Sequence, residues 1–129
     1  MLLKKEKWIK DEELGFLKAN PSIFMTSGIK WKKRIDFLGM DVDVLVSGNL
    51  EKLNKTETKI MTNALNNIKL IEKQVLYAIH DLCLRNNIKS DAWESYFRCF
   101  QIYIEKADLF ILIEDTVNYL TYELELKWF

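Results

Sequence analysis

One histidine, one proline, four glycines and two cysteines in 129 residues each narrow what the chain can do. A single histidine argues against most metal sites and most Ser-His-Asp schemes. So few glycines and prolines exclude collagen-like, linker-like and low-complexity chains. Cys83 and Cys99 are too few for a disulfide scaffold and read as thiols of a reducing compartment. No apolar run approaches the ~18–20 residues that span a bilayer. The opening MLLKKEKWIKDEELGF has no long apolar stretch after its lysines, so no signal peptide is expected. The expected location is therefore cytoplasmic, with no membrane partner. Charge of one sign is also missing: 19 Lys and Arg face 19 Asp and Glu, without the basic excess of a generic nucleic-acid binder. There is no phosphate-cradling glycine loop, no nucleophile elbow and no HExxH. These absences point to a protein that is not an enzyme and holds no cofactor or metal.

What is present is a core. Hydrophobic residues make up 49% and charged residues 29%, which suits one domain over residues 1–129. Residues 1–12 are charged and read as frayed apart from Trp8 and Ile9. Glu13 to Lys18 fits a short strand, Asn20-Pro21-Ser22 a turn, and Ile23 to Met25 a brief apolar patch. Ile29 to Phe37 alternates, with Ile29, Trp31, Ile35 and Phe37 on one face and Lys30, Lys32, Arg34 and Asp36 on the other. Gly39 with Met40 fits a tight hairpin link, after which Val42, Val44 and Val46 alternate again. From Asn54 the period becomes helical. Asn54 and Glu57 have capping-box spacing, and apolar residues from Ile60 to Leu82 recur at steps of three and four. A break at Asn66-Asn67 gives two helices, and Asn86-Asn87 ends the second. Ser90 or Asp91 can cap a short helix to about Phe97. Three strand-like runs follow: Cys99 to Glu105 with Phe100, Ile102 and Ile104 on one face, Leu109 to Ile113, and Tyr119 to Trp128. The expected fold is α+β: an antiparallel sheet of about six strands, ordered β-β-β-α-α-β-β-β, with helices packed on one face.

Charge is polarised along the chain. Met1 to Arg34 holds nine basic and four acidic residues, and Glu105 to Phe129 holds six acidic and two basic. Such a split can steer a charged protein partner. Asp41 and Asp43 share a strand face, as do Glu123 and Glu125, and Glu114 and Asp115 lie between these pairs in sequence. Pairs of this kind arise from strand alternation alone, but together they offer an acidic surface to a basic protein. Lys30 to Arg34 with Trp31 resembles a base-stacking patch, yet alternation points Trp31 away from the charges. His80, Asp81 and Cys83 have the residue types of a thiol site, yet Cys83 sits beside the apolar stripe. Trp8, Trp93, Trp128 and Phe129 fall at element ends, where large aromatics anchor interfaces or close a core. Phe110 and Leu112 point away from Leu109, Ile111 and Ile113. If helices cover one face only, a homodimer or a partner protein must cover the other.

The order of motifs resembles a group of small bacterial α+β domains, some of which look like immunity proteins of polymorphic toxin and contact-dependent growth inhibition systems. The resemblance is carried by Glu13-Leu14-Gly15-Phe16-Leu17, Ile29-Lys30-Trp31, Phe37-Leu38-Gly39, the helices around Thr56 to Leu84 and the β-rich tail. It spans most of residues 12–128. The tail departs from it, because Tyr122-Glu123-Leu124-Glu125-Leu126 has no acidic-His-Gly motif, and a site built on that motif is not carried over. The resemblance implies a stoichiometric binder of a cognate toxin domain. Asp41, Asp43, Glu114, Asp115, Glu123, Glu125, Trp93 and Phe110 are then the expected contact residues, toward a basic toxin such as a nuclease. The alternative is a structural or regulatory homodimer.

Overall fold

Period-two alternation and helical periodicity resolve into a sheet and a helical layer in the computed structural model, which describes residues 6–19 and 27–127. The elements are β1 (Lys7–Asp11), β2 (Gly15–Ala19), β3 (Ser27–Phe37), β4 (Met40–Asn49), α1 (Lys55–Asn66), α2 (Ile68–Arg85), a 3-10 helix (Ser90–Ser95), β5 (Phe97–Glu105), β6 (Asp108–Asp115) and β7 (Leu120–Leu126). The seven strands lie side by side in chain order. All neighbours are antiparallel except β4 and β5, which run parallel.

The α+β class is as expected, but the sheet has seven strands rather than about six, and it is not wholly antiparallel. The added strand is β1, in the segment read as frayed. Asp11 closes its hairpin by accepting the Glu13 and Leu14 N–H groups at 3.0 and 2.9 Å. An edge strand tolerates this much charge because one side of it meets water. The parallel pair follows from the long connection between β4 and β5. Parallel neighbours need a crossover of a dozen residues or more, and α1, α2 and the 3-10 helix occupy it.

Met61, Ala64, Ile71, Val75, Ile79 and Cys83 are the buried apolar residues of α1 and α2. They join Trp31, Phe37, Val44, Ile102, Ile111 and their neighbours in one core. The helices break at Asn67, whose N–H returns to Ala64 O at 3.0 Å, as the Asn66-Asn67 pair suggests. Half of the expected capping box forms. Asn54 accepts the Glu57 N–H at 2.9 Å, while the Glu57 carboxylate accepts the Ser47 N–H at 2.9 Å and so ties α1 to β4. Glu72 of α2 accepts the Leu38 N–H at 2.7 Å. Gln74 exchanges hydrogen bonds with the backbone of Lys127 beyond the end of β7. Three contacts thus pin the helical layer to the sheet.

Two turns and one bulge depart from the sequence reading. Phe37 pairs with Met40, so the hairpin turn is Leu38-Gly39, with φ of 55° and 78°, rather than Gly39-Met40. The β5–β6 turn is Lys106-Ala107, with φ of 51° and 65°, a left-handed pair built without glycine. In β5, Cys99 pairs with Ile113 and Gln101 with Leu112, leaving Phe100 as an extra residue. This bulge reverses the parity. Phe97 and Cys99 before it, and Ile102 and Ile104 after it, all reach the core, whereas Phe100 does not share the Ile102 face as expected. The 3-10 helix spans Ser90–Ser95 and has no side-chain cap. The apolar patch Ile23 to Met25, and Trp128 with Phe129, lie outside the described residues.

Gly48 is held against the loop after β4. A Cβ there would stand 2.5 Å from Lys52 O and 2.9 Å from the Leu53 Cα. Gly48→Ala should therefore cost about 2 kcal/mol in urea denaturation, as overpacking against backbone does. Ala107→Gly should raise stability by about 1 kcal/mol, by relieving a left-handed non-glycine residue.

Candidate functional site

Alternation in the strands that builds the core sends the other residues to the opposite face of the sheet. Among the described residues no helix lies over that face. Strand register arranges its side chains in rows. Trp8 pairs with Lys18, Lys18 with Lys32, and Lys32 with Leu45. Asp43 lies beside Gln101 in the parallel pair, so Leu45 and Tyr103, two residues on, continue the row. Tyr103 then pairs with Phe110, and Phe110 with Glu125. A second row runs Arg34, Asp43, Gln101, Leu112 and Glu123. The first row is basic over β2–β3, uncharged over β4–β6 and acidic at β7; in the second, Arg34 of β3 is paired with Asp43 of β4, the centre is uncharged and Glu123 ends it on β7.

The middle of the face is half-buried: Leu45, Tyr103, Phe110 and Leu112 each keep part of their surface open. Tyr103 stacks on Phe110 with ring centroids 5.6 Å apart and planes inclined by 21°. The Tyr103 hydroxyl donates to the Glu123 carboxylate. Burial first, and the Glu123 and Glu105 carboxylates next, push that phenol up to about 12, so it remains a neutral donor at physiological pH. At the basic end Lys18 lies 5.8 Å from the Trp8 ring centroid and Lys10 5.6 Å from that of Phe16. Trp8 and Phe16 are 58% and 60% exposed, which leaves this end both cationic and aromatic.

The acidic residues divide on closer view. Asp41 and Asp43 flank Val42 on β4, with Asp41 exposed and Asp43 ion-paired to Arg34 at 3.3 Å. Glu114 lies 3.9 Å from Arg98, and Glu125 3.8 Å from Lys127. Glu123 is exposed apart from its bond to Tyr103. Asp115 does not belong to this surface. It is 1% exposed, because it is on the core-facing parity of β6. Its Oδ1 accepts the Val117 and Asn118 N–H groups, both at 2.9 Å, and its Oδ2 accepts from the Asn118 side chain at 3.0 Å. The Asn118 N–H bond, with smaller help from the Asn118 side chain and the Val117 N–H, holds its carboxyl below the usual range against the opposing cost of burial. Trp93 is likewise corrected: at 8% exposure it closes the core beneath the 3-10 helix rather than anchoring a partner. Phe110 stays on the open face.

The thiol cluster does not assemble. Cys83 is fully buried among the helix contacts and its thiol is pushed up by burial. Asp81 pairs with Arg85 at 2.7 Å instead of orienting His80. Burial pushes Cys99 up to about 12. No group of three or more metal-ligating side chains forms among the described residues. Lys30 donates to Ser47 at 2.7 Å and Trp31 is buried, so the basic strand face has no stacking ring from Trp31. A recess of about 630 Å³ lies between the β1 hairpin and α1. Its rim mixes lysines (Lys10, Lys52, Lys55, Lys59) with carboxylates (Asp11, Glu12, Glu13, Glu51) and so selects no ligand charge. No helix of the described residues is long and apolar enough to cross a membrane.

No protein-family model matches the chain, and neither a curated protein nor a solved structure matches it. The row of residues that defines the open face was hidden in sequence, because Lys18, Leu45, Tyr103 and Glu125 become neighbours only through strand pairing. The legible signal was the excess of apolar residues on both parities of β6.

Asp115→Ala should cost about 2 kcal/mol at pH 7, since it removes a buried carboxylate and the charged hydrogen bonds that it accepts from the turn after β6. Because the folded carboxyl titrates below its unfolded value, its contribution is full above the unfolded pKa of about 3.9 and is lost as pH falls through the lower folded value. The stability gap between wild type and variant, read by urea titration, should thus narrow below about pH 4. Neither thiol should react with a disulfide reagent at pH 8 until the chain unfolds.

Proposed function

We propose that this chain is a non-catalytic protein-binding module, an immunity protein that captures a cognate bacterial toxin domain on the open face of its sheet. The observation that carries the reading is that face: broad, uncovered among the described residues, apolar at its centre and charged with opposite sign at its two ends. A binder needs no turnover machinery. It needs a firm scaffold and a surface whose charges speed encounter and whose centre excludes water on contact. The scaffold here is pinned on its helical side, and the face is left free. The toxin part of the reading rests on the resemblance of the motif order to that of immunity proteins.

Asp41, Asp43, Glu114, Glu123 and Glu125 form the acidic part of the contact, and Phe110 its apolar neighbour. A basic nuclease domain is the partner this charge fits. Asp115 and Trp93 are left to the scaffold. The expected location is the cytoplasm, where such a toxin acts.

The test is co-expression with the product of the adjacent upstream gene. Survival of the cells and a one-to-one complex in native mass spectrometry are expected. Failure to protect or to bind overturns the assignment. Within a complex, Glu114→Lys with Glu123→Lys and Glu125→Lys should slow association at least tenfold at low salt, since close charges at an interface set the on-rate. An unchanged rate would remove these residues from the contact.

A further inference from the structure

The open face is complementary to itself. Its basic strands, β2 and β3, and its acidic strand, β7, lie on opposite sides of the β4–β5 pair. We propose that in the absence of another partner a second copy of this chain covers the face, related by a two-fold axis that runs along the strands at the β4–β5 seam.

Charge selects the axis. Two stacked sheets can be related by a two-fold axis lying between them either along the strands or across them. An axis across the strands lays β2 and β3 over themselves, lysine against lysine. An axis along the strands exchanges the two sides of the sheet and lays each row over its own reverse. In the first row Lys18 then faces Glu125, Lys32 lies over Phe110, and Leu45 meets Tyr103. A cation over a ring and an aliphatic side chain against a ring are both favourable contacts, and the Lys18–Glu125 pair occurs twice by symmetry. The normal twist of packed sheets turns the rows by about 30°, which keeps neighbouring lysines and glutamates in reach.

The size also fits. About this axis the six strands β2–β7 overlap, and spaced about 4.8 Å apart and some five residues long they make a face of roughly 24 by 17 Å. Longer β3, β4 and β5 extend it, toward the ~800 Å² per partner of a standard interface. Lys18 and Lys32 make no ion pair among the described residues, Lys18 resting only on the Trp8 ring, so both can take the second copy's carboxylates. This inference stands apart from toxin capture: a captured partner takes the same face and separates the copies, but the experiment below uses this chain alone.

The full chain is examined by sedimentation equilibrium between 1 and 200 µM. A dimer is expected, with a dissociation constant that rises at least fivefold between 50 and 500 mM NaCl. Lys18→Glu with Lys32→Glu should weaken it at least tenfold, and so should Glu123→Lys with Glu125→Lys. Mixing the two variants should restore a heterodimer, because each then offers the other an opposite charge on both sides of the axis. That restoration also shows both variants to be folded. Carbodiimide coupling of a mixture of light and isotopically heavy wild-type copies should join Lys18 or Lys32 of one copy to Glu123 or Glu125 of the other. A monomer throughout the range overturns the proposal. So does a dimer that both charge variants leave unchanged, or one whose cross-links arise elsewhere.

Discussion

The parallel pairing of β4 with β5 is the constraint on which the rest of the molecule depends. Two antiparallel meanders could have been joined by a short turn, giving a sheet with no natural cover. A parallel pair forbids that, because the chain must return to the starting end of the strand before it can run alongside. The return path crosses one face of the sheet, and here it is helical. That one requirement places α1 and α2, fixes which side of every strand is dry, and leaves the other side open. The side-chain ties from Glu57, Glu72 and Gln74 then hold the cover at three separate points on the sheet.

The open side takes its character from register. A strand shifted by one residue exchanges its faces, so the rows from Lys18 to Glu125 exist only because the core specifies the pairing. The Phe100 bulge shows how closely the two faces are coupled. Without that extra residue, Phe97 and Cys99 could not share the core with Ile102 and Ile104. Asp115 shows the same coupling at the acidic end. Core parity turns its carboxylate inward, where the Val117–Asn118 turn satisfies it, while Glu114 one residue earlier is left on the surface.

Much of this was legible along the chain. Trp31 and the three valines of β4 announced both parity and burial, and Asn54 and Asn67 marked the helix ends. The two helices, the 3-10 segment and the three later strands follow from periods of two and near four. What failed to show has physical reasons. Lys7–Asp11 has too few apolar residues to read as a strand, because at the edge of the sheet it lays only Ile9 against the core. A bulge adds a residue without any compositional mark. Lys106-Ala107 lacks the glycine or asparagine that announces a left-handed turn. The candidate site was legible only in part: the sequence showed that Phe110 and Leu112 faced away from the core, and that charge was split between the chain's ends. It could not show which charges share a row, since that depends on pairings between residues far apart in the chain.

The seam between β4 and β5 also bears on how the molecule assembles. Each hairpin closes a short loop, so the meander β3–β4 and the meander β5–β7 have little chain entropy to overcome. The seam pairs Asp43 with Gln101 and Val44 with Ile102 only after the whole helical crossover has been gathered in, and closing a longer loop costs more and comes later. Two locally formed halves docking along one line is the order of folding this topology favours. During that interval the inner edges of both halves stand open, and a chain emerging from the ribosome completes β4 well before β5 exists to meet it.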